Sequence, residues 1–164
     1  MKPEIKIYRQ NRRNLMMRPV PGAVEVYIPH QLSEDDPDVQ DFIAKGLKKF
    51  GDNIPEIPPE VTSQKAIKAM VKDYVKRMEV NASRVQFRDM RRKWGSCSSK
   101  GTVTLNSRLT WLEADLAEYI VCHELAHLIE LNHSKKFWAI VEQHMPDYKA
   151  RIKELRRVEK TLHW

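Results

Sequence analysis

The five residues His123-Glu124-Leu125-Ala126-His127 constrain this chain more than any other feature. They lie among Leu116, Ile120, Val121, Leu128 and Ile129, which recur at helical spacing. The segment is therefore expected to be a long apolar helix starting near Thr110, where Thr110 and Glu113 have capping-box spacing. On a helix, residues four apart share a face about 6 Å apart along the axis. Two imidazoles can then converge on one ion while Glu124 is turned aside by about 100°. An unpaired carboxylate between two histidines in such a segment would cost several kcal/mol. A metal removes that objection, and the pattern suits two metal ligands with a general base beside a water that the metal activates.

A third ligand is needed, and His133 is the candidate. On a continuous helix it would stand about 9 Å beyond His127 and be rotated by about 240°, out of reach. The chain must then leave the helix near Glu130. Asn132 suits the left-handed conformation of such a turn, and Ser134 suits the N-cap of the next helix. Three nitrogen ligands leave a fourth zinc position open, as in catalytic rather than structural sites.

The remaining sequence surrounds this segment with a small α+β domain. Val24, Val26 and Ile28 alternate after Pro21-Gly22, with Leu15, Met16 and Met17 before it, which predicts a β-hairpin. Pro37 starts a helix that carries Val39, Phe42, Ile43, Leu47 and Phe50 and stops at Gly51. Pro55, Pro58 and Pro59 make residues 52–60 a stiff connector. A helix with the stripe Ala66, Ile67, Met70, Val71, Tyr74, Val75 and Met78 follows. Val85 with Phe87, and Val103 with Leu105, predict two strands flanking a turn-rich segment from Gly95 to Gly101. A shorter helix runs from Ser134 to Pro146, and a last one begins near Asp147. The expectation is a single domain over residues 1–164. Its N-terminal part, residues 1–60, is a hairpin and helix, and residues 61–164 form the metal-binding part. In that domain a small, mostly antiparallel sheet packs on the metal-binding helix.

Charge is distributed unevenly. The chain has a net charge of +7, yet residues 61–100 hold eleven Lys and Arg against three Asp and Glu, so this quarter carries +8 and the rest −1. The lysines Lys65, Lys68, Lys72 and Lys76 recur on one helix side. This leaves two readings open, a solvated helix face or weak, sequence-independent binding of nucleic acid. With 41% hydrophobic and 31% charged residues and no apolar run of membrane-spanning length, a soluble chain without a membrane segment is expected. Only two cysteines, Cys97 and Cys122, point to a reducing cytoplasm rather than a disulfide scaffold.

The blocks KWGSCSSKGTVTLNSRL, EYIVCHELAHL, NHSKKFW and MPDY, in this order and spacing, resemble the YgjP-like (DUF45) metal-dependent hydrolases, which are related to the SprT-like and WLM zinc metalloproteases. The resemblance covers about residues 84–150. It implies a zincin-like fold and a peptidase-type site in which His123, His127 and His133 bind one zinc and Glu124 is the catalytic acid/base, acting on a peptide or protein substrate. Glu130 stands where metzincins carry Gly, which disfavours a metzincin turn.

Other candidates are less determined. Arg91, Arg92 and Lys93 could bind a substrate carboxylate or phosphate, or form a solvated loop. The strand from Val103 to Asn106 could hold an extended peptide along its edge, which makes Asn106 a candidate substrate contact. Tyr148 either donates to an oxyanion or packs with its hydroxyl satisfied. Cys97 reads as a buried thiol rather than a ligand, Cys122 as core, and His144 as a surface or capping residue.

Overall fold

The structure is a computed structural model that describes residues 3–51, 53–90 and 92–162. The chain divides into two compact units, Met1–Pro58 with Glu159–Trp164, and Pro59–Val158. The division falls in the proline-rich connector. Among the described residues there are six strands and five helices, in keeping with the α+β class. No helix among them is long and apolar enough to cross a membrane.

In the first unit, strands β1 (Glu4–Gln10), β2 (Met16–Val20) and β3 (Ala23–Pro29) form a sheet in the order β1-β3-β2. The expected hairpin is β2–β3, turned at Gly22, whose φ of 72° favours glycine. Helix α1 (Pro37–Phe50) has proline in its first turn and ends at Gly51 with φ 50°. Val39 and Ile43 of α1 pack against Val24, Val26 and Ile28 of β3.

The second unit contains α2 (Gln64–Arg77), β4 (Arg84–Arg88), β5 (Gly95–Cys97), β6 (Thr102–Asn106), α3 (Ala114–Ala126), α4 (Lys135–His144) and α5 (Tyr148–Thr161, of which residues to Val158 belong here). Its sheet has the order β4-β6-β5. Strand β6 runs parallel to β4 and antiparallel to β5, and the first sheet likewise combines one parallel pair with one antiparallel pair. The sheets are thus mixed rather than mostly antiparallel. The reason in the second unit is that β5 returns as a hairpin on one side of β6, which leaves β4 to pair on the other side in the same direction as β6.

Three expected local features differ. Gly95-Ser96-Cys97 is a strand, not part of the turn, because β6 supplies a hydrogen-bonding partner for it. The capping box at Thr110 is absent: residues Ser107–Trp111 form a 3-10 turn in which the Thr110 hydroxyl donates to Ser107 O, and α3 starts only at Ala114. Asn132 is not left-handed either, since Glu79 is the one non-glycine with positive φ among the described residues.

The loop between β4 and β5 is pinned by Asn106, which is fully buried. Its Nδ2 donates to Met90 O at 2.6 Å and Lys93 O at 2.9 Å, while its Oδ1 accepts from Arg108 N at 3.1 Å. The side chain is consumed by these bonds, so Asn106 holds the loop in place and is not available as a substrate contact. Asn106→Ala would leave buried backbone groups without partners and should cost about 2–3 kcal/mol, read as a lower urea midpoint at unchanged slope.

Candidate metal centre

Helix α3 carries His123 and His127 one turn apart, and its regular hydrogen bonding ends at Ala126. The Leu128, Ile129 and Glu130 amides donate to Leu125 O, Ala126 O and Ala126 O, a tightened last turn from which the chain bends away. Ser134 then opens α4, its hydroxyl accepting from Phe137 N at 3.3 Å. This corner swings His133 back over α3, and the candidate ligand nitrogens of His123, His127 and His133 all lie within 4.8 Å of one another.

The outer nitrogens of two rings are already engaged. His127 Nδ1 lies 3.1 Å from Glu130 O, a contact that requires the proton on Nδ1 and leaves the Nε2 lone pair free to bind. The Tyr119 hydroxyl lies 3.4 Å from His123 Nδ1, one turn earlier on α3. The inner nitrogens His123 Nε2 and His133 Nε2 face each other at 3.0 Å. Burial, with the neighbouring His127 and His133 adding to it, pushes the His123 imidazole down to about 3, so it is neutral at any ordinary pH. Inward-facing imidazole nitrogens, with the outer nitrogens of His123 and His127 engaged, match the donor set of a borderline-soft divalent cation such as zinc.

Phe137 holds the rings together. This fully buried residue of α4 has its centroid 4.9, 4.5 and 4.8 Å from those of His123, His127 and His133. Trp138 stacks on His133 on one side and on Tyr148 on the other. Tyr148 is accordingly buried in an aromatic stack, the packing alternative of its two readings, and does not line the cleft.

Glu124 is 7% exposed and faces a cleft of about 470 Å³ that the three histidines also line. Burial raises its carboxyl to about 7, partly countered by the Lys93 ammonium. Residues 93–97 form a wall beside Glu124, and Ile120, Leu131 and Leu155 supply apolar surface. Cys97 belongs to this wall, half-buried, with a thiol pushed up to about 11 by burial and by Glu124. Of the basic trio, Lys93 lines the cleft, Arg92 is exposed outside its lining, and Arg91 lies outside the described residues. Lys65, Lys68, Lys72 and Lys76 are exposed along α2 and also lie outside the lining. Cys122 is core, and His144 ends α4 with its carbonyl accepting from Arg77.

Sequence reasoning did not single out Tyr119 or Phe137, and it placed Gly95 in the matched Trp94-Gly95-Ser96-Cys97 block without a role. Tyr119 had a readable signal, the i, i+4 spacing to His123. Phe137 had none beyond its place in a matched block, because the corner that aims α4 at the histidines is a tertiary feature.

Known proteins resemble the same part of the chain. The family model of the YgjP-like metallopeptidase domain matches residues 60–158. The crystal structure of abylysin from Pyrococcus abyssi, a metallopeptidase zymogen, is similar at 29% identity and a TM-score of 0.50, covering 59% of this chain and 95% of that one. The metallopeptidase zymogen jannalysin from Methanocaldococcus jannaschii is similar at 27% identity and a TM-score of 0.50, covering 60% of this chain and 93% of that one. No curated protein matches the chain. The matched segment contains the whole histidine cluster, Glu124 and the wall of residues 93–97, and the chain belongs to the YgjP-like family of metallopeptidase domains.

Proposed function

We propose that this protein is a zinc-dependent peptide hydrolase in which His123, His127 and His133 hold one zinc ion and Glu124 is the catalytic acid/base. The observation that carries the reading is the convergence of three imidazole nitrogens beside a buried carboxylate in an open cleft. The metal, when bound, supplies Lewis-acid polarisation of the scissile carbonyl and acidifies a water molecule. Tyr119 and the Glu130 carbonyl orient the outer nitrogens, and Phe137 sets the ring planes. Glu124 in its ionised form accepts a proton from the attacking water and delivers it to the leaving amine.

Substrate alignment is assigned to β5. The expected edge, β6, is the central strand of its sheet and has no free edge. In the antiparallel pair, Asn106 N donates to Trp94 O and Ser98 N donates to Thr102 O, so Ser96 shares their bonded side and the N–H and C=O groups of Gly95 and Cys97 point away from β6. An extended peptide can add to that edge, whose Gly95 lies against Glu124. Lys93 suits a substrate carboxylate at one end of the cleft. Both cysteines are free, which fits a reducing compartment such as the cytoplasm. The α2 lysines take no part in this reading, and nothing in the site favours nucleic acid as the partner.

Metal analysis combined with a peptide-library cleavage assay tests the proposal. His133→Ala should lose most of the bound zinc at equal protein concentration, and retention of one zinc per chain would remove His133 from the ligand set. Glu124→Gln should keep the zinc and lose turnover by a factor of about 10² or more. The same variant carries a pH signature in chelated protein. The Glu124 carboxyl binds its proton more tightly folded than unfolded, so its ionisation opposes folding increasingly from about pH 4.5 to 7 and fully above that. Glu124→Gln should therefore be more stable than wild type above pH 7, by at most ~3 kcal/mol, with the advantage vanishing below about pH 4.5 in pH-resolved urea titrations.

A further inference from the structure

Gly95 has no conformational reason to be glycine. The glycines with positive φ are Gly22, Gly51 and Gly101, and Gly95 lies in an ordinary strand. Its reason is space. A Cβ at Gly95 would fall 2.4 Å from Glu124 Cγ, 2.6 Å from Cδ and 2.7 Å from Oε1. Carbon atoms do not approach so closely, so one of three things must yield: β5, α3 or the Glu124 side chain. Strand β5 is held on both sides of Gly95, by Asn106 N donating to Trp94 O at 2.7 Å and Ser98 N donating to Thr102 O at 2.9 Å. Helix α3 is held by Val121, Leu125 and Ala126, each fully buried. The remaining freedom is rotation of Glu124 about its own side-chain bonds.

We propose that Gly95 is a positioning residue for Glu124. Its bare backbone is the surface on which the carboxylate rests, and any side chain at position 95 displaces that carboxylate from the point where it meets the attacking water. The inference rests on the assignment of Glu124 as the base. It does not depend on the backbone groups of Gly95 that face a substrate, because alanine retains both. The two roles therefore separate kinetically, since a displaced base lowers kcat while a damaged substrate edge raises KM.

The test compares wild type, Gly95→Ala, Glu124→Ala and the double variant for zinc content, melting temperature, and kcat and KM on a peptide selected from the library. Gly95→Ala should bind zinc as wild type does and lose about ten-fold or more in kcat, with KM changed less than about two-fold. Its fall in melting temperature should largely disappear in the Glu124→Ala background, where the atoms it meets are gone. An unchanged kcat, a loss confined to KM, or an equal melting penalty in both backgrounds would overturn the proposal. If Gly95→Ala does not fold, the double variant must fold, and failure of both overturns it as well. If wild type cleaves no peptide, the hydrolase reading fails on its own. The melting temperatures then still decide, a penalty removed by Glu124→Ala upholding the placement of Glu124 by Gly95 and a persistent one refuting it.

Discussion

Two histidines one turn apart occupy a face of α3, and a third ring can join them only where the helix stops. The stop after Ala126, the three-residue corner Asn132-His133-Ser134 and the cap on α4 together return His133 to α3. Much of the surrounding structure answers to that geometry. Phe137 is in position to touch all three rings because Ser134 starts α4 at that point, and Trp138 extends the packing to Tyr148 at the head of α5. Arg151, one turn further along α5, donates to Glu118 and to Asp115 O, which ties α5 back to the beginning of α3. The corner is thus braced from both ends of the helix that carries the site.

The site is costly to fold empty. Two of its buried titratable groups oppose folding over overlapping pH ranges. His123 is held near 3, far below its unfolded value, so its cost grows as pH falls below about 6.5. Glu124 is held near 7, so its cost grows as pH rises toward neutrality. The His123 and His133 Nε2 atoms stand 3.0 Å apart, close enough to share one cation. A divalent cation bound there would offset the cost of the buried carboxylate, which couples metal binding to stability.

The residues proposed for the chemistry are legible in the sequence because their signals are local. The spacing of His123 and His127 is a helix rule, and a capping serine after His133 marks the start of the second helix. The same locality explains the misreadings. Gly95-Ser96-Cys97 has no apolar alternation and becomes a strand only through β6, so its place at the edge of the sheet beside the cleft is not readable from the sequence. Strand β1 went unread because its Ile5 and Ile7 alternate over too short a stretch, and its pairing with β3 is parallel and distant in sequence. Asn106 reads as a substrate contact from sequence because it ends the strand expected to pair with a peptide. The hydrogen bonds that consume its side chain go to Met90, Lys93 and Arg108, up to sixteen residues away.

The central claim is a three-imidazole metal site with a coordination position left open beside Glu124. X-ray absorption at the zinc edge on metal-loaded protein tests it most directly. The account predicts three imidazole nitrogens at about 2.0–2.1 Å with one further light-atom ligand that small anions can replace. A sulfur shell at about 2.3 Å, placing Cys97 on the metal, or a closed shell that no added ligand perturbs, would contradict it.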